Sequence, residues 1–369
     1  MRYAMIMAGG SGTRLWPMSV KSLPKQLIPL IEGDDGASKS LLQIAMDRLD
    51  GFLPDDQLYV CAGESTRAVM LDKLVKLTPD RFIGEPTGRD TLNAVGLTAA
   101  VLHKLDPEAV FAVFTADHII EPVDRFQEIV KQGFELAERD EPTLVTFGIA
   151  PTHAATGYGY LQLGDALGEG ASVVSEFKEK PEQAVAEQYF QAGASKYLWN
   201  SGMFVWKASS VMAAIKKFAP DNHAMLAELG DAWGTTAYDA KIADLYPKLP
   251  KISVDFAIMD PTSTDADFTV AAVPMPLKWL DVGSWPSFAE TLNPDAGGNC
   301  CSGTKAVNLD SKNVLIAGDD PEHVVATLGC EDLIVIHTKS ATLVCPRDQA
   351  ERIKELHKAV GEQAGDHYL

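Results

Sequence analysis

Met7-Ala8-Gly9-Gly10-Ser11-Gly12-Thr13-Arg14-Leu15-Trp16-Pro17 follows directly on an apolar run that begins at Tyr3, with Pro24-Lys25-Gln26 shortly beyond. Glycines at the carboxyl end of a strand let backbone N–H groups approach an anion with no Cβ in the way. Arg14 and Lys25 add the positive charge that phosphate oxygens require. The stretch therefore predicts a nucleotide-phosphate loop made by Ala8, Gly9, Gly10, Ser11, Gly12 and Thr13, with Arg14 and Lys25 as its cations. It is not a Walker loop, because no Gly-Lys-Ser/Thr follows. It is not a dinucleotide fingerprint either, because Leu15 stands where the third glycine belongs. Without the two cations the glycines would read equally well as a tight surface turn.

Outward from this loop, as far as about Leu163, short apolar runs alternate with amphipathic stretches, the order expected of a parallel sheet with helices on its faces. The predicted strands are Tyr3–Ala8, Gln57–Cys61, Val110–Thr115 and Thr143–Ile149. The predicted helices are Ser40–Leu49, Ser65–Leu77, Asp90–Leu105 and Asp124–Arg139, each opening on a Ser or Asp suited to an N-cap. From Gly157 to about Trp285 extended and helical segments mix, which reads as an extension of the same sheet. Beyond Asn293-Pro294-Asp295-Ala296-Gly297-Gly298 the segments are short and β-rich, separated by turn residues, and a final amphipathic helix spans roughly Asp348–Val360. No repeat or β-helix period stands out. The expected fold is α/β, a doubly wound, Rossmann-like, mixed but mostly parallel sheet over residues 1–292, with a small β-rich C-terminal appendage over residues 293–369.

The chain has 369 residues, 46% of them hydrophobic, enough to bury a sizeable core. Its net charge of -19 argues against general nucleic-acid binding and requires a local basic pocket for any anionic substrate. The five cysteines lack the C-x-x-C spacing of a zinc knuckle and read as reduced thiols. The N-terminal apolar run is broken by glycines before it reaches the length of a signal segment, and no later run could span a bilayer. A cytoplasmic protein with no membrane partner is the expectation.

Asp117 follows the apolar run Val110–Phe114, so its carboxylate belongs at the carboxyl end of a strand, where open α/β sheets bind ligands. His118 beside it reads as a structural hydrogen-bonding residue rather than a metal ligand. In Glu179-Lys180-Pro181 a carboxylate and an ammonium stand side by side before a helix that Pro181 is expected to open. Glu179 could accept from sugar hydroxyls and Lys180 could neutralise a phosphate, although such pairs are also common on solvent-facing surfaces. Asn200 and Gly202 could bond a sugar ring, while Trp199, Met203, Phe204 and Trp206 read as core.

The run from Gly9 to Pro17 with Pro24-Lys25-Gln26 resembles the signature of the sugar nucleotidyltransferases. Trp16 and the Pro24-Lys25-Gln26 details resemble its mannose-1-phosphate guanylyltransferase branch. The resemblance continues through Glu85-Pro86-Thr87-Gly88-Arg89-Asp90-Thr91, Ala116-Asp117-His118, Thr156-Gly157-Tyr158-Gly159-Tyr160, Phe177-Lys178-Glu179-Lys180-Pro181, Trp199-Asn200-Ser201-Gly202-Met203-Phe204 and Trp279-Leu280-Asp281-Val282-Gly283-Ser284-Trp285. It implies that Asp117 and Asp281 hold Mg2+ (or Mn2+), a hard ion that takes one or two protein carboxylates and completes its shell with phosphate and water. It also implies that Glu85, Arg89 and Thr91 line the nucleobase pocket and that Gly157, Tyr158, Glu179, Lys180, Asn200 and Gly202 bind the sugar.

The implied reaction joins GTP and mannose 1-phosphate into GDP-mannose and diphosphate, with Arg14, Lys25, Asp117 and Asp281 as the catalytic set and no protein nucleophile. Transferase activity alone is expected, without the isomerase domain that some relatives carry, and a homodimer is an allowed assembly. Two alternatives remain open at this point: a transferase of the same fold for another sugar or nucleotide, and a catalytically silent sugar-nucleotide sensor. The second should have lost a loop cation or a metal carboxylate, and this chain keeps Arg14, Lys25, Asp117 and Asp281.

Overall fold

The apolar run at the N-terminus forms strand β1 (Arg2–Met7), buried along its middle, as a continuous apolar run should be when both faces of a sheet are covered. The computed structural model describes residues 1–10, 12–32, 38–139 and 142–369. Ser11 therefore lies outside the described residues. The chain divides into two units, the first made of Met1–Gly9, Arg48–Thr115 and Ile120–Trp279, the second of Gly10–Asp47, Ala116–Ile119 and Leu280–Leu369.

The first unit is built on a nine-stranded sheet. Besides β1 it contains β2 (Leu58–Gly63), β3 (Phe82–Glu85), β4 (Val110–Thr115), β5 (Thr143–Ile149), β6 (Tyr160–Gly168), β7 (Ala171–Lys178), β8 (Tyr197–Lys207) and β9 (Thr269–Pro274). The spatial order is β3-β2-β1-β4-β8-β5-β9-β7-β6. Strands β1 to β4 run parallel to one another, and β9 runs parallel to β5. Strand β8 lies antiparallel to both β4 and β5, and β7 lies antiparallel to β9 and β6. The expectation of a mostly parallel sheet is thus corrected to a mixed one in which antiparallel pairings are as prominent as parallel ones. A strand buried on both faces is apolar whichever way it runs, so the sequence of β8 carries no mark of its direction.

Helix α1 (Thr91–Leu105) opens on Asp90, whose side chain accepts from the Thr91 amide at 2.8 Å. Ser40 likewise accepts from the Gln43 amide at 3.2 Å. Ser65 and Asp124 do not cap: the helix Arg67–Lys73 begins after Thr66, and α2 (Val123–Ala137) begins after Pro122. Helix α1 with α3 (Ala208–Phe218) and α4 (Pro220–Ala232) shares a core with Phe111, Val113, Phe204 and Trp206 on one face of the sheet. The alternate residues of β4 point the other way, where Phe114 meets Phe126 of α2 at 5.5 Å.

In the second unit, β10 (Cys300–Ser302), β12 (Leu315–Gly318) and β14 (Leu333–His337) pair in parallel, as do β11 (Lys305–Leu309) and β13 (Val324–Leu328). Strand β15 (Thr342–Pro346) returns antiparallel, on β14. Each parallel pair skips one intervening strand, so the chain winds in short coils. The coils are few and unequal, and no period shows in the sequence. The core of this unit draws on three stretches: Leu15, Trp16 and Ile28, then Val282, Trp285 and Phe288, then Leu315, Ile334 and Ile336. Among the described residues no helix is long and apolar enough to cross a membrane.

Candidate active site

The glycine loop enters the second unit at Gly10 and tightens into the helical turn Thr13–Leu15. Gly12 adopts φ +62, and a Cβ there would lie 2.4 Å from Ser19 Oγ and 2.9 Å from Lys25 Cβ. Only glycine satisfies both the left-handed backbone and the close approach of Lys25. Leu15, which replaces the third glycine of a dinucleotide loop, is fully buried. The Trp16 indole donates to the Tyr368 carbonyl at 2.8 Å, and the Trp285 indole donates to the Trp16 carbonyl at 3.1 Å. Two tryptophans from separate motifs therefore hold the loop in place. Gly12→Ala is expected to displace Lys25 and to add about 1–3 kcal/mol of backbone strain. Thermal melts and initial rates should both fall, and a variant unchanged in both would remove this account of the loop.

Lys25 is nearly enclosed, and its ammonium lies 2.5 Å from Asp117 Oδ2, with side-chain exposures of 11% and 24%. The His118 ring nitrogen stands 4.0 Å from the other oxygen of Asp117. Val282 N donates to the Asp117 carbonyl at 2.9 Å, which brings the segment carrying Asp281 alongside. Ligand atoms of Asp117, His118 and Asp281 all lie within 4.8 Å of one another. Burial and the charge of Asp117 push the Asp281 carboxyl up to about 6, in spite of Lys25 and Arg14. Burial acts on Asp117 in the same sense, but Lys25 and then His118 outweigh it and hold this carboxyl below its usual range. The Arg14 guanidinium is about half exposed and reaches Glu351 at 3.4 Å. It also lies beside Gly283, whose Cβ, if present, would be 3.7 Å from Arg14 and 3.3 Å from Asp281.

This cluster fits a divalent cation. Two converging carboxylates lie near one ammonium, which pairs with Asp117; burial and the Asp117 charge raise the Asp281 carboxyl, so negative charge here is only partly offset by Lys25 and Arg14. Hard oxygen ligands in this number suit Mg2+ completed by phosphate and water. His118, expected to be structural, sits where its ring could join them. Nothing in the dipeptide Asp117-His118 reveals this, because it depends on which way each side chain leaves the strand.

The remaining predicted residues fall in the first unit. At the end of β3, Glu85 is buried and accepts from the Tyr246 hydroxyl at 2.6 Å, and its other oxygen lies 3.8 Å from where a Cβ of Gly9 would be. Burial raises this carboxyl, opposed by the Tyr246 hydroxyl and the Arg89 amide. Arg89 donates to the Pro247 carbonyl, and Thr91 Oγ1 accepts from the Val254 amide at 2.9 Å. Both side chains thus tie the segment 247–254 to the start of α1.

On the strands that follow, Glu179 is buried and paired with Lys180, whose φ is +43. The helix after them starts at Gln183, not at Pro181. Tyr158 sits between Trp199 and Trp279, with ring centroids at 5.1 and 5.4 Å. The neighbouring Gly157 has open space where a side chain would be. Asn200 is buried, and its side-chain oxygen accepts from the Gly202 amide at 3.3 Å. Its amide nitrogen donates to Asp255 at 2.9 Å. Asp255, the first residue of a π-helical turn (Asp255–Met259), was not singled out from the sequence, where it carries no recognisable spacing. Burial and then Glu179 push its carboxyl up to about 7. A separate cavity of about 660 Å³, lined by Arg67, Phe82, Trp233 and Tyr238 among others, contains none of the predicted site residues.

Residues 3–296 match the family described as Nucleotidyl transferase, and residues 304–359 match the MannoseP isomerase/GMP-like beta-helix domain. A mannose-1-phosphate guanylyltransferase of Klebsiella pneumoniae is 36% identical over 357 residues, covering 95% of this chain and 72% of that protein. One of Escherichia coli (strain K12) is 35% identical over 366 residues, covering 96% and 72%. A crystal structure from Thermus thermophilus, named a mannose-1-phosphate geranyltransferase, superposes with a TM-score of 0.83 at 31% identity, covering 97% of this chain and 99% of that one.

Proposed function

The chain belongs to the nucleotidyl transferase family, and from that premise we propose that it is a mannose-1-phosphate guanylyltransferase, taking GTP and mannose 1-phosphate to GDP-mannose and diphosphate. The observation that carries the reading is the Lys25–Asp117–Asp281 cluster beside the glycine loop, an arrangement for gathering phosphates and a cation. The identity of the relatives supports the choice of sugar and base.

A phosphate oxygen of the sugar phosphate attacks the α-phosphorus of the nucleotide. The new P–O bond forms as the bond to the β-phosphate oxygen breaks, and diphosphate leaves with the electron pair. Two anions must meet, so alignment and neutralisation supply the catalysis. Lys25 and Arg14 provide positive charge, and the amides of the loop from Ala8 to Thr13 cradle phosphate oxygens. Glu85 serves the base, with Arg89 and Thr91 acting through the backbone they hold. Glu179, Lys180, Asn200, Gly202 and the turn at Gly157 and Tyr158 serve the sugar phosphate. Asp117 and Asp281, with His118 at hand, would hold Mg2+ or Mn2+, which when bound supplies charge neutralisation at the phosphates.

The test is a panel of nucleoside triphosphates against sugar 1-phosphates, read by release of diphosphate. GTP with mannose 1-phosphate is expected to exceed every other pair in kcat/KM by roughly 100-fold for the wrong base, the discrimination a site of placed polar groups can deliver. Preference for UTP, dTTP or ATP would remove the guanylyl assignment. No transfer with any pair would favour a silent sensor.

A further inference from the structure

Asp255 has no part in the reading above, and its surroundings are unusual for a carboxylate. It is only partly exposed, and its carboxyl is enclosed by protein, with Asn200 as its side-chain donor. Enclosing a carboxylate is costly unless it is hydrogen-bonded or paired. Here the charged groups that act on it are Glu179, which repels it, and Lys180, which attracts it but is already paired with Glu179.

The orientation of the Asn200 amide is settled by its partners. Thr146 Oγ1 donates to Asn200 Oδ1 at 2.8 Å and the Gly202 amide donates to the same oxygen at 3.3 Å, so the nitrogen must face Asp255. One Nδ2 hydrogen goes to Asp255 Oδ1 at 2.9 Å. An amide nitrogen has a second hydrogen, and fixing the first fixes where the second points. The backbone keeps Glu179 close by: the main-chain N–H of Asn200 donates to the Gly159 carbonyl at 2.8 Å, and a Cβ on Gly159 would lie only 2.6 Å from Glu179 Oε2. Asn200 and Glu179 thus flank Gly159, and Asn200 is bonded to Asp255.

We infer that Asp255 is a positioning residue for the sugar 1-phosphate: through its bond to Asn200 it fixes the free Nδ2 hydrogen next to Glu179, so that the pair presents one donor and one acceptor to neighbouring hydroxyls of the ring. The inference rests on the reading that Asn200 and Glu179 serve the sugar. It adds a residue whose removal acts on one substrate and spares the other.

The experiment compares Asp255→Leu, which removes the acceptor, with Asp255→Asn, which keeps one. Separate KM values are measured for the sugar 1-phosphate and for the nucleotide, using the best pair from the panel. Asp255→Leu should raise the sugar KM about 10-fold or more while the nucleotide KM changes less than about twofold, the size expected when a fixed hydrogen bond is lost. Asp255→Asn should recover most of that loss. In an Asn200→Ala background, Asp255→Leu should add less than about twofold, because the two residues act as one unit. Should Asp255→Leu fail to fold, Thr146→Val releases Asn200 from its other side and should give the same selective rise. Equal shifts in both KM values, no recovery with Asp255→Asn, or additivity with Asn200→Ala would each overturn the inference while leaving the activity assignment intact. A protein that accepts no sugar 1-phosphate at all would instead overturn the assignment on which it rests.

Discussion

Asp117→Asn and Asp281→Asn should each reduce kcat by roughly 1000-fold or more, the scale on which loss of a charge-organising group slows transfer to phosphorus. Each substitution preserves shape and removes one of the two carboxylates gathered with His118. Initial rates at saturating Mg2+ are the measurement, and near-native turnover in either variant would dissolve the two-aspartate site. The same variants should part company in stability when metal is chelated. The folded-state value of Asp281 is raised from 3.8 to about 6, so its contribution to stability is fully present below its ordinary range and is lost as pH rises through about 6. Asp281→Asn should therefore melt higher than wild type at pH 8, because it removes an enclosed, ionised carboxylate that burial and Asp117 both disfavour. Asp117 is held below 3.8. Its contribution is present above the ordinary range and is lost as pH falls. Asp117→Asn deprives Lys25 of its partner and should melt lower at pH 8. Thermal melts in chelator at pH 3, pH 5 and pH 8 read both signs.

Lys25→Met is the second large effect. The substitution keeps most of the stem and deletes the ammonium that touches Asp117. Breaking a buried pair costs about 3–5 kcal/mol, and partial exposure of Asp117 brings the expected loss of stability nearer to about 2 kcal/mol. Two carboxylates would then face each other with only Arg14 and His118 to offset them, so added Mg2+ should raise the melting temperature of the variant more than that of wild type. Turnover should nevertheless stay about 100-fold down, because the ion cannot also replace the cation that meets the phosphates. Arg14→Ala offers the contrast. Its guanidinium is about half exposed and its bond to Glu351 is long, so turnover should fall with little change in melting temperature. Loss of stability in Arg14→Ala equal to that in Lys25→Met would contradict this ordering of the two cations.

What the sequence disclosed was local. The glycine loop, the carboxylate after β4 and the pair Glu179-Lys180 are each read from a few neighbouring residues; Asp117 does follow β4, whereas the helix after Lys180 starts at Gln183 and not at Pro181. The direction of β8 was hidden because burial on both faces erases it. The coils of the second unit were hidden because two or three unequal turns make no period. Asp255 and His118 stand out only in the fold, where Asp255 meets Asn200 and His118 gathers with Asp281, partners distant along the chain whose meeting no spacing announces. Arg89 and Thr91 show a further limit. Their side chains, read as ligand groups, also bond the carbonyl of Pro247 and the amide of Val254, contacts that no spacing in the sequence reveals.

The shared core of the second unit has a bearing on how this sequence can change over time. Leu15 and Trp16 of the glycine loop lie in the same apolar cluster as Trp285, Leu315, Ile334 and Ile336. Interiors pack densely, and a change of even one methylene is felt by the neighbours. The C-terminal coils are consequently not a cassette that could be exchanged freely for those of another protein. A smaller side chain at Ile336 or Leu315 calls for an answering change near Leu15 or Trp285, so positions at opposite ends of the chain are bound to drift in step, and the glycine loop inherits constraints from coils that carry none of the predicted ligand groups.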